Sequence, residues 1–240
     1  MKNVEIVALG GCHVTGHCVG PDKAFPALLG KLLNGQVVAQ VSHLQFVNLP
    51  QHLALVGALR PSHVVLQLGN HEFSASLPAL LHQCRRAFIA RPIAKKPAEN
   101  AAPIGGSLAP PASPAACPAY HARVAVLSLL TAALWLLSAH HRRSFRALNA
   151  CMRQYPETTF VFLSPFPCLA PADNALRDFG GWLLRCRLAS LPNRHWIDSH
   201  RLLRADRKLF VDSWHLNKQA HRALAYSLAA AFLSNVDGLL

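Results

Sequence analysis

Short apolar runs, each ending in a turn and followed by a helical pattern, predict an α/β fold: a five-stranded parallel sheet with helices on both faces. Three observations carry this expectation. Residues 4–9, 36–41, 64–68, 158–163 and 195–197 are strand-like runs, and the segments between them are long enough for helices. Glycine, proline and asparagine stand at the ends of those runs. The residues richest in chemistry (Cys12, the Gly69–Glu72 turn and Asp212–His215) fall at or just after the carboxyl ends of expected strands, where such sheets bind ligands.

Taken in order, residues 4–9 (VEIVAL) lead into Gly10-Gly11 and read as a buried strand. Pro21-Asp22 opens a helical pattern through Lys31-Leu32-Leu33 that stops at Asn34-Gly35. Residues 36–41 are the second strand, and residues 49–59 a helix ending before Pro61. The third strand, 64–68, closes on Gly69-Asn70-His71-Glu72, with a helix after it to about Ile89. From 91 to 120 the composition changes, and seven of the chain's 17 prolines lie there among Ala, Gly and Ser. That stretch reads as an inserted loop. A long helix is expected over 124–153, then the fourth strand at 158–163, which breaks at Ser164-Pro165-Phe166-Pro167. A helix at 173–189, the fifth strand at 195–197 and a closing helix at 216–233 complete the pattern. Residues 1–240 read as a single domain with a Pro/Ala-rich insertion at about 91–120.

Hydrophobic residues make up 52% of the chain and charged ones 15%, which excludes a disordered protein. The formal net charge of +13 favours acidic partners or substrates. No compact Lys/Arg run interleaved with aromatics occurs, so no nucleic-acid partner is expected. The cysteines at 12, 18, 84, 117, 151, 168 and 186 are irregularly spaced without a CxxC pair. With a strand at the very start of the sequence, they fit a cytoplasmic protein with reduced thiols. Residues 124–139 are apolar almost throughout, yet shorter than the roughly 20 residues of a bilayer span; a buried core helix is expected there, in preference to a membrane segment.

Asp212 and His215, three apart on a tight loop before the last helix, form a pattern with two readings. The acid can orient the imidazole, giving the acid–base half of a nucleophilic triad. Alternatively the acid caps the helix and the histidine packs on it. Cys12, in the turn after the first strand, offers the nucleophile; its bland reading is a small buried apolar residue. The run Cys12-His13-Val14-Thr15-Gly16-His17-Cys18 holds four potential zinc ligands, but so close a spacing is unlike known sites, and no metal is expected. His13 and His17 are expected to line the cleft or a helix surface. Asp198 reads as a turn cap and Trp214 as a core residue.

With these elements placed, the chain resembles the SGNH, or GDSL-type, hydrolase superfamily over nearly its whole length, the insertion excepted. The strongest match is Leu209-Phe210-Val211-Asp212-Ser213-Trp214-His215-Leu216-Asn217, similar to the family's last block. Tyr155-Pro156-Glu157 with the following strand and Ser164-Pro165, and His195-Trp196-Ile197-Asp198, resemble its fourth and fifth strands. The first block, Gly-Asp-Ser-x-Thr-x-Gly in the family, here reads Gly10-Gly11-Cys12-His13-Val14-Thr15-Gly16, with Cys12 in the nucleophile's place. The third block, Gly-x-Asn-Asp, reads Gly69-Asn70-His71-Glu72, with His71 where the oxyanion-binding Asn belongs and Asn70 one residue early. Glu72 aligns with an acid that shapes the oxyanion loop. No second-block glycine stands between Val41 and Leu53, which leaves one backbone donor unassigned.

The resemblance implies a flavodoxin-like three-layer sandwich, and an ester or thioester hydrolase or acyltransferase working through a Cys12–His215–Asp212 triad without a cofactor. Gly11, Gly69, Asn70 and His71 would shape the oxyanion and substrate site. A neighbouring imidazole is expected to lower the Cys12 thiol into the reactive range. The acyl ester or thioester could arrive on an acidic carrier protein, which the positive charge suits. The altered blocks also fit a non-catalytic ligand-binding protein on a degenerate fold.

Overall fold

A computed structural model describes residues 4–74 and 118–233. The expected helix to about Ile89, nearly all of the 91–120 insertion, Cys84 and Cys117 lie outside them. Five strands, β1 (Glu5–Leu9), β2 (Gln36–Val41), β3 (His63–Gln67), β4 (Thr159–Leu163) and β5 (Arg194–Ile197), form one sheet in the order β2-β1-β3-β4-β5. Every adjacent pair is parallel. The order reverses between β1 and β3, which opens a crevice at their carboxyl ends.

The helices among the described residues are α1 (Phe25–Leu32), α2 (Leu49–His52), α3 (Ala54–Leu59), α4 (Pro118–Leu137), α5 (Ala139–Gln154), α6 (Pro171–Arg187), α7 (Ser199–Leu203) and α8 (Lys218–Leu233). Strand side chains alternate between two cores, as the pleat requires. Ile6, Ala8, Val65 and Val161 pack with Phe25 and Leu29 of α1 and Leu224 and Leu228 of α8. Val7, Leu9, Leu66, Phe160 and Phe162 pack with Trp135, Leu148, Met152 and Leu184 on the other face.

Two expectations need correcting. The long helix over 124–153 is two helices, because Ser138 is extended (φ −65°, ψ 123°) and caps α5 by accepting the His141 N–H. The apolar stretch over 124–139 is also not simply core. Leu127, Leu134 and Trp135 are buried, whereas Val126, Leu129, Leu130, Leu136 and Leu137 are exposed, Leu129 to 71%. A helix apolar on every side can bury only the face it lays on α5 and α6. Tyr120–Leu137 is long and apolar enough to cross a membrane, by length and composition alone. Asp198 caps α7 as expected, accepting the Arg201 N–H at 3.0 Å.

Candidate active site

β1 runs directly into a turn that only glycine can open. A Cβ on Gly10 would lie 2.6 Å from Val14 Cγ2 and 2.9 Å from Gln67 Cβ. The next N–H, of Gly11, donates to Gln67 Oε1 at 2.9 Å. Gln67, buried at the end of β3, therefore pins the turn across the crevice, and Gly11 contributes space rather than a free donor. Cys12 follows, half-buried, its carbonyl accepting from Thr15 Oγ1 at 3.1 Å and from the His17 N–H at 3.1 Å.

The Cys12 thiol is pushed up from its ordinary value. Burial raises it, against the pull of the N–H groups of Cys12 and His13 and of the Arg177 guanidinium. It makes no hydrogen bond to His215 among the described residues. The lowered thiol expected from the sequence is thus corrected: desolvation outweighs the neighbouring donors.

Asp212 and His215 sit on a loop closed by a bridge between Phe210 and Leu216 and by the Val211 N–H donating to His215 O at 2.8 Å. Asp212 Oδ1 accepts the N–H groups of Trp214 (2.7 Å) and His215 (2.8 Å). Its Oδ2 lies 2.7 Å from His215 Nδ1. Burial alone would raise this carboxyl, but the hydrogen bonds from His215 and the two backbone N–H groups outweigh it and lower the pKa. An ionised Asp212 accepts Nδ1–H, which leaves Nε2 as the basic nitrogen. The ring lies beside the turn after β1, with centroids 4.6 Å from His17 and 5.8 Å from His13.

The histidines of that turn part company. His13 is buried, edge-on to Phe166, and burial together with His221, His215 and Arg177 holds it well below 6.5, hence neutral. His17 and Cys18 are exposed, and their ligand atoms lie with that of His215 within 4.8 Å of one another. The four-residue cluster weighed in the sequence does not assemble.

The loop after β3 supplies the opposite wall. Gly69 has φ +90°, and a Cβ there would meet the Phe73 ring at 2.8 Å. Asn70 Oδ1 accepts the Phe166 N–H at 2.7 Å, which fixes the amide with its NH₂ end left to donate. His71 stands over the turn after β1, its Nε2 3.5 Å from where a Gly11 Cβ would be. Its pKa is lowered by desolvation and then by His43, Arg177 and His215, so it is a neutral donor or acceptor. Glu72 accepts the Phe46 N–H at 2.6 Å, tying this loop to the segment after β2.

Three contributors are not evident in the sequence. His43, within the interval where no glycine was found, has φ +56°, the left-handed region glycine favours, and its ring centroid is 6.4 Å from His71. Its backbone N–H makes no hydrogen bond among the described residues. Gln67 reads in the sequence as one more strand residue. Arg177 lies within a helix pattern and looks like a surface charge, yet it is 6% exposed. Its guanidinium donates to Phe166 O (3.0 Å) and Asn70 O (3.2 Å) and forms no ion pair among the described residues. It also sits 5.2 Å from the centroid of Trp214, which is 38% exposed and not the core residue expected.

No protein-family model and no curated protein matches this sequence. Solved structures do match. A lipolytic protein assigned to the G-D-S-L family from Desulfitobacterium hafniense aligns over 95% of this chain and 99% of its own, at TM-score 0.56 and 14% identity. A carbohydrate esterase family 2 enzyme from Corynascus thermopiles aligns over 98% of this chain and 67% of its own, at TM-score 0.57 and 14% identity. A catalytic mutant of an acetylxylan esterase from Geobacillus stearothermophilus aligns over 98% and 94%, at TM-score 0.52 and 14% identity. Together with a parallel sheet ordered β2-β1-β3-β4-β5 and the crevice between β1 and β3, these alignments show that the chain adopts the SGNH-type hydrolase fold.

Proposed function

We propose that the protein is an acyl-transfer enzyme of SGNH type, an ester or thioester hydrolase or acyltransferase, in which Cys12, His215 and Asp212 form the triad. The observation that carries this reading is the 2.7 Å contact between Asp212 Oδ2 and His215 Nδ1 on the loop facing the turn that holds Cys12. Because burial raises the thiol, Cys12 enters the reaction protonated, and the base acts during attack as it does for a serine. Cys12 Sγ bonds to the acyl carbon as its proton passes to His215 Nε2. The carbonyl π pair moves onto oxygen, where the N–H groups of Cys12 and His43 and the side chain of Asn70 or His71 receive it. Collapse of the oxyanion breaks the bond to the leaving oxygen or sulfur, which takes the proton from His215. Water, or an acceptor alcohol, amine or thiol, then repeats the sequence on the thioester. Arg177 favours each anionic stage electrostatically. The net charge of +13 suits an acidic acyl carrier as donor.

Intact-mass spectrometry during turnover of a panel of acyl esters and thioesters tests this. An acyl increment on wild-type protein, absent from Cys12→Ala along with turnover, is the expected result; undiminished turnover by Cys12→Ala overturns it. A second reading, a ligand-binding protein on a retired hydrolase fold, is favoured by the raised thiol and by the lack of a hydrogen bond between Cys12 and His215. It expects ligand binding with no acyl increment.

A further inference from the structure

His17, Cys18 and His215 come from opposite ends of the chain, and their ligand atoms lie within 4.8 Å of one another at the mouth of the crevice. Tetrahedral zinc, with bonds of about 2.0–2.3 Å to imidazole nitrogen and thiolate, holds its ligands about 3.5 Å apart. Closing that gap needs movement of about 1 Å from side chains that are free to move, since His17 and Cys18 are both exposed.

Two features make this more than a chance cluster. Adjacent residues ordinarily diverge, but Cys18 has φ +68°, a conformation a cysteine seldom adopts, and the left-handed turn there brings its thiol to the same side as the His17 ring. His215 is in turn oriented from behind: Asp212 Oδ2 holds Nδ1 at 2.7 Å and leaves Nε2 to coordinate. A carboxylate backing a ligating imidazole is the outer-shell arrangement that fixes histidine at zinc sites. The donor set of one sulfur and two imidazoles suits a borderline-soft cation and excludes calcium and magnesium, which take oxygen.

We propose that His17, Cys18 and His215 form a binding site for a soft divalent cation of the zinc type, with a fourth position open to water or an anion. Binding releases the Cys18 proton to solvent and leaves a thiolate on the metal. A cation on His215 Nε2 occupies the lone pair that accepts the Cys12 proton, so the filled site and the acylation base exclude each other. The coordination itself does not depend on the proposed function; only this consequence rests on it.

Cobalt titration of the full chain, reduced and metal-free, reports the site without reference to activity. The expected result is a thiolate-to-cobalt charge-transfer absorption in the near ultraviolet at one equivalent, displaced by zinc. Cys18→Gly, which suits the left-handed backbone and so keeps the fold, should abolish that absorption. His17→Ala should weaken binding at least tenfold, and Asp212→Asn by about 10- to 100-fold. Retention of the absorption by Cys18→Gly, its loss from Cys12→Ala, or no binding of zinc or cobalt by the wild type would each overturn the proposal. If the site binds cobalt but zinc leaves ester turnover unchanged, the assignment of His215 as base fails and the cation site stands. If turnover by the metal-free protein is abolished by Cys12→Ala while no cation binds, the reverse holds.

Discussion

The state of the Cys12 thiol divides two kinds of cysteine chemistry, and alkylation kinetics can read it directly. A preformed thiolate–imidazolium pair reacts with iodoacetamide at a rate that is flat across neutral pH. A thiol held up by burial does not. With the pKa above the ordinary 9.0, the thiolate fraction at pH 7 is below about 1 in 100 and grows about tenfold per pH unit. The alkylation rate of Cys12, followed by peptide mass spectrometry, should therefore climb by about 100-fold between pH 7 and pH 9. The exposed Cys186 serves as a reference within the same sample. His215→Ala should leave the slope for Cys12 intact, since no hydrogen bond ties the imidazole to the resting thiol. A rise of less than about threefold over that interval, or a plateau abolished by His215→Ala, would refute the assignment of burial as the dominant influence and restore an ion-pair mechanism.

Other expectations are as direct. Asp212→Asn removes the charge that fixes the His215 tautomer, and kcat on the preferred ester should fall by roughly 10²–10⁴-fold with little change in folding, as circular dichroism would verify. Gly180→Ala drives a Cβ to 2.2 Å from the Phe73 ring, and denaturant unfolding should show a loss of about 1–3 kcal/mol. His221 is fully buried, accepts the Phe25 N–H and has its pKa lowered by burial to about 4, against 6.5 for a free imidazole. The unfolded chain therefore binds the extra proton first: stability is full above pH 6.5, falls as pH drops toward about 4 and levels below it. That single group accounts for about 3 kcal/mol, and His221→Gln should flatten the acid limb of stability against pH by about that amount; an unchanged slope would show that other groups carry it.

The fold was legible because its signal is local. Strands such as residues 36–41 announce themselves by β-branched apolar content between turn residues, and the parallel order follows from the helices between them. Asp212 and His215 were legible for the same reason, being three apart on one loop. What escaped depends on contacts between distant segments. Ser138 sits inside an apolar run and looks like helix until its hydroxyl is seen capping α5. His43 adopts a left-handed backbone without being glycine, so a search by residue type passes over it. Arg177 counts as one charge among many until the Phe166 and Asn70 carbonyls gather around it. The pairing of His17 and Cys18 with His215 spans almost the whole chain, and spacing alone cannot express it.

Arg177 has one further consequence, for the relation between ligand and stability. A guanidinium held away from water with no carboxylate paired to it among the described residues costs the folded state free energy that its carbonyl partners only partly return. Any anion that enters the crevice makes good part of that deficit, whether a thiolate, an oxyanion or a carboxylate. A bound anion thus stabilises the folded chain by an amount that grows with the logarithm of its concentration over its dissociation constant. Such a protein should be at its least stable when empty, and on the function proposed above a carboxylate product should be slow to leave.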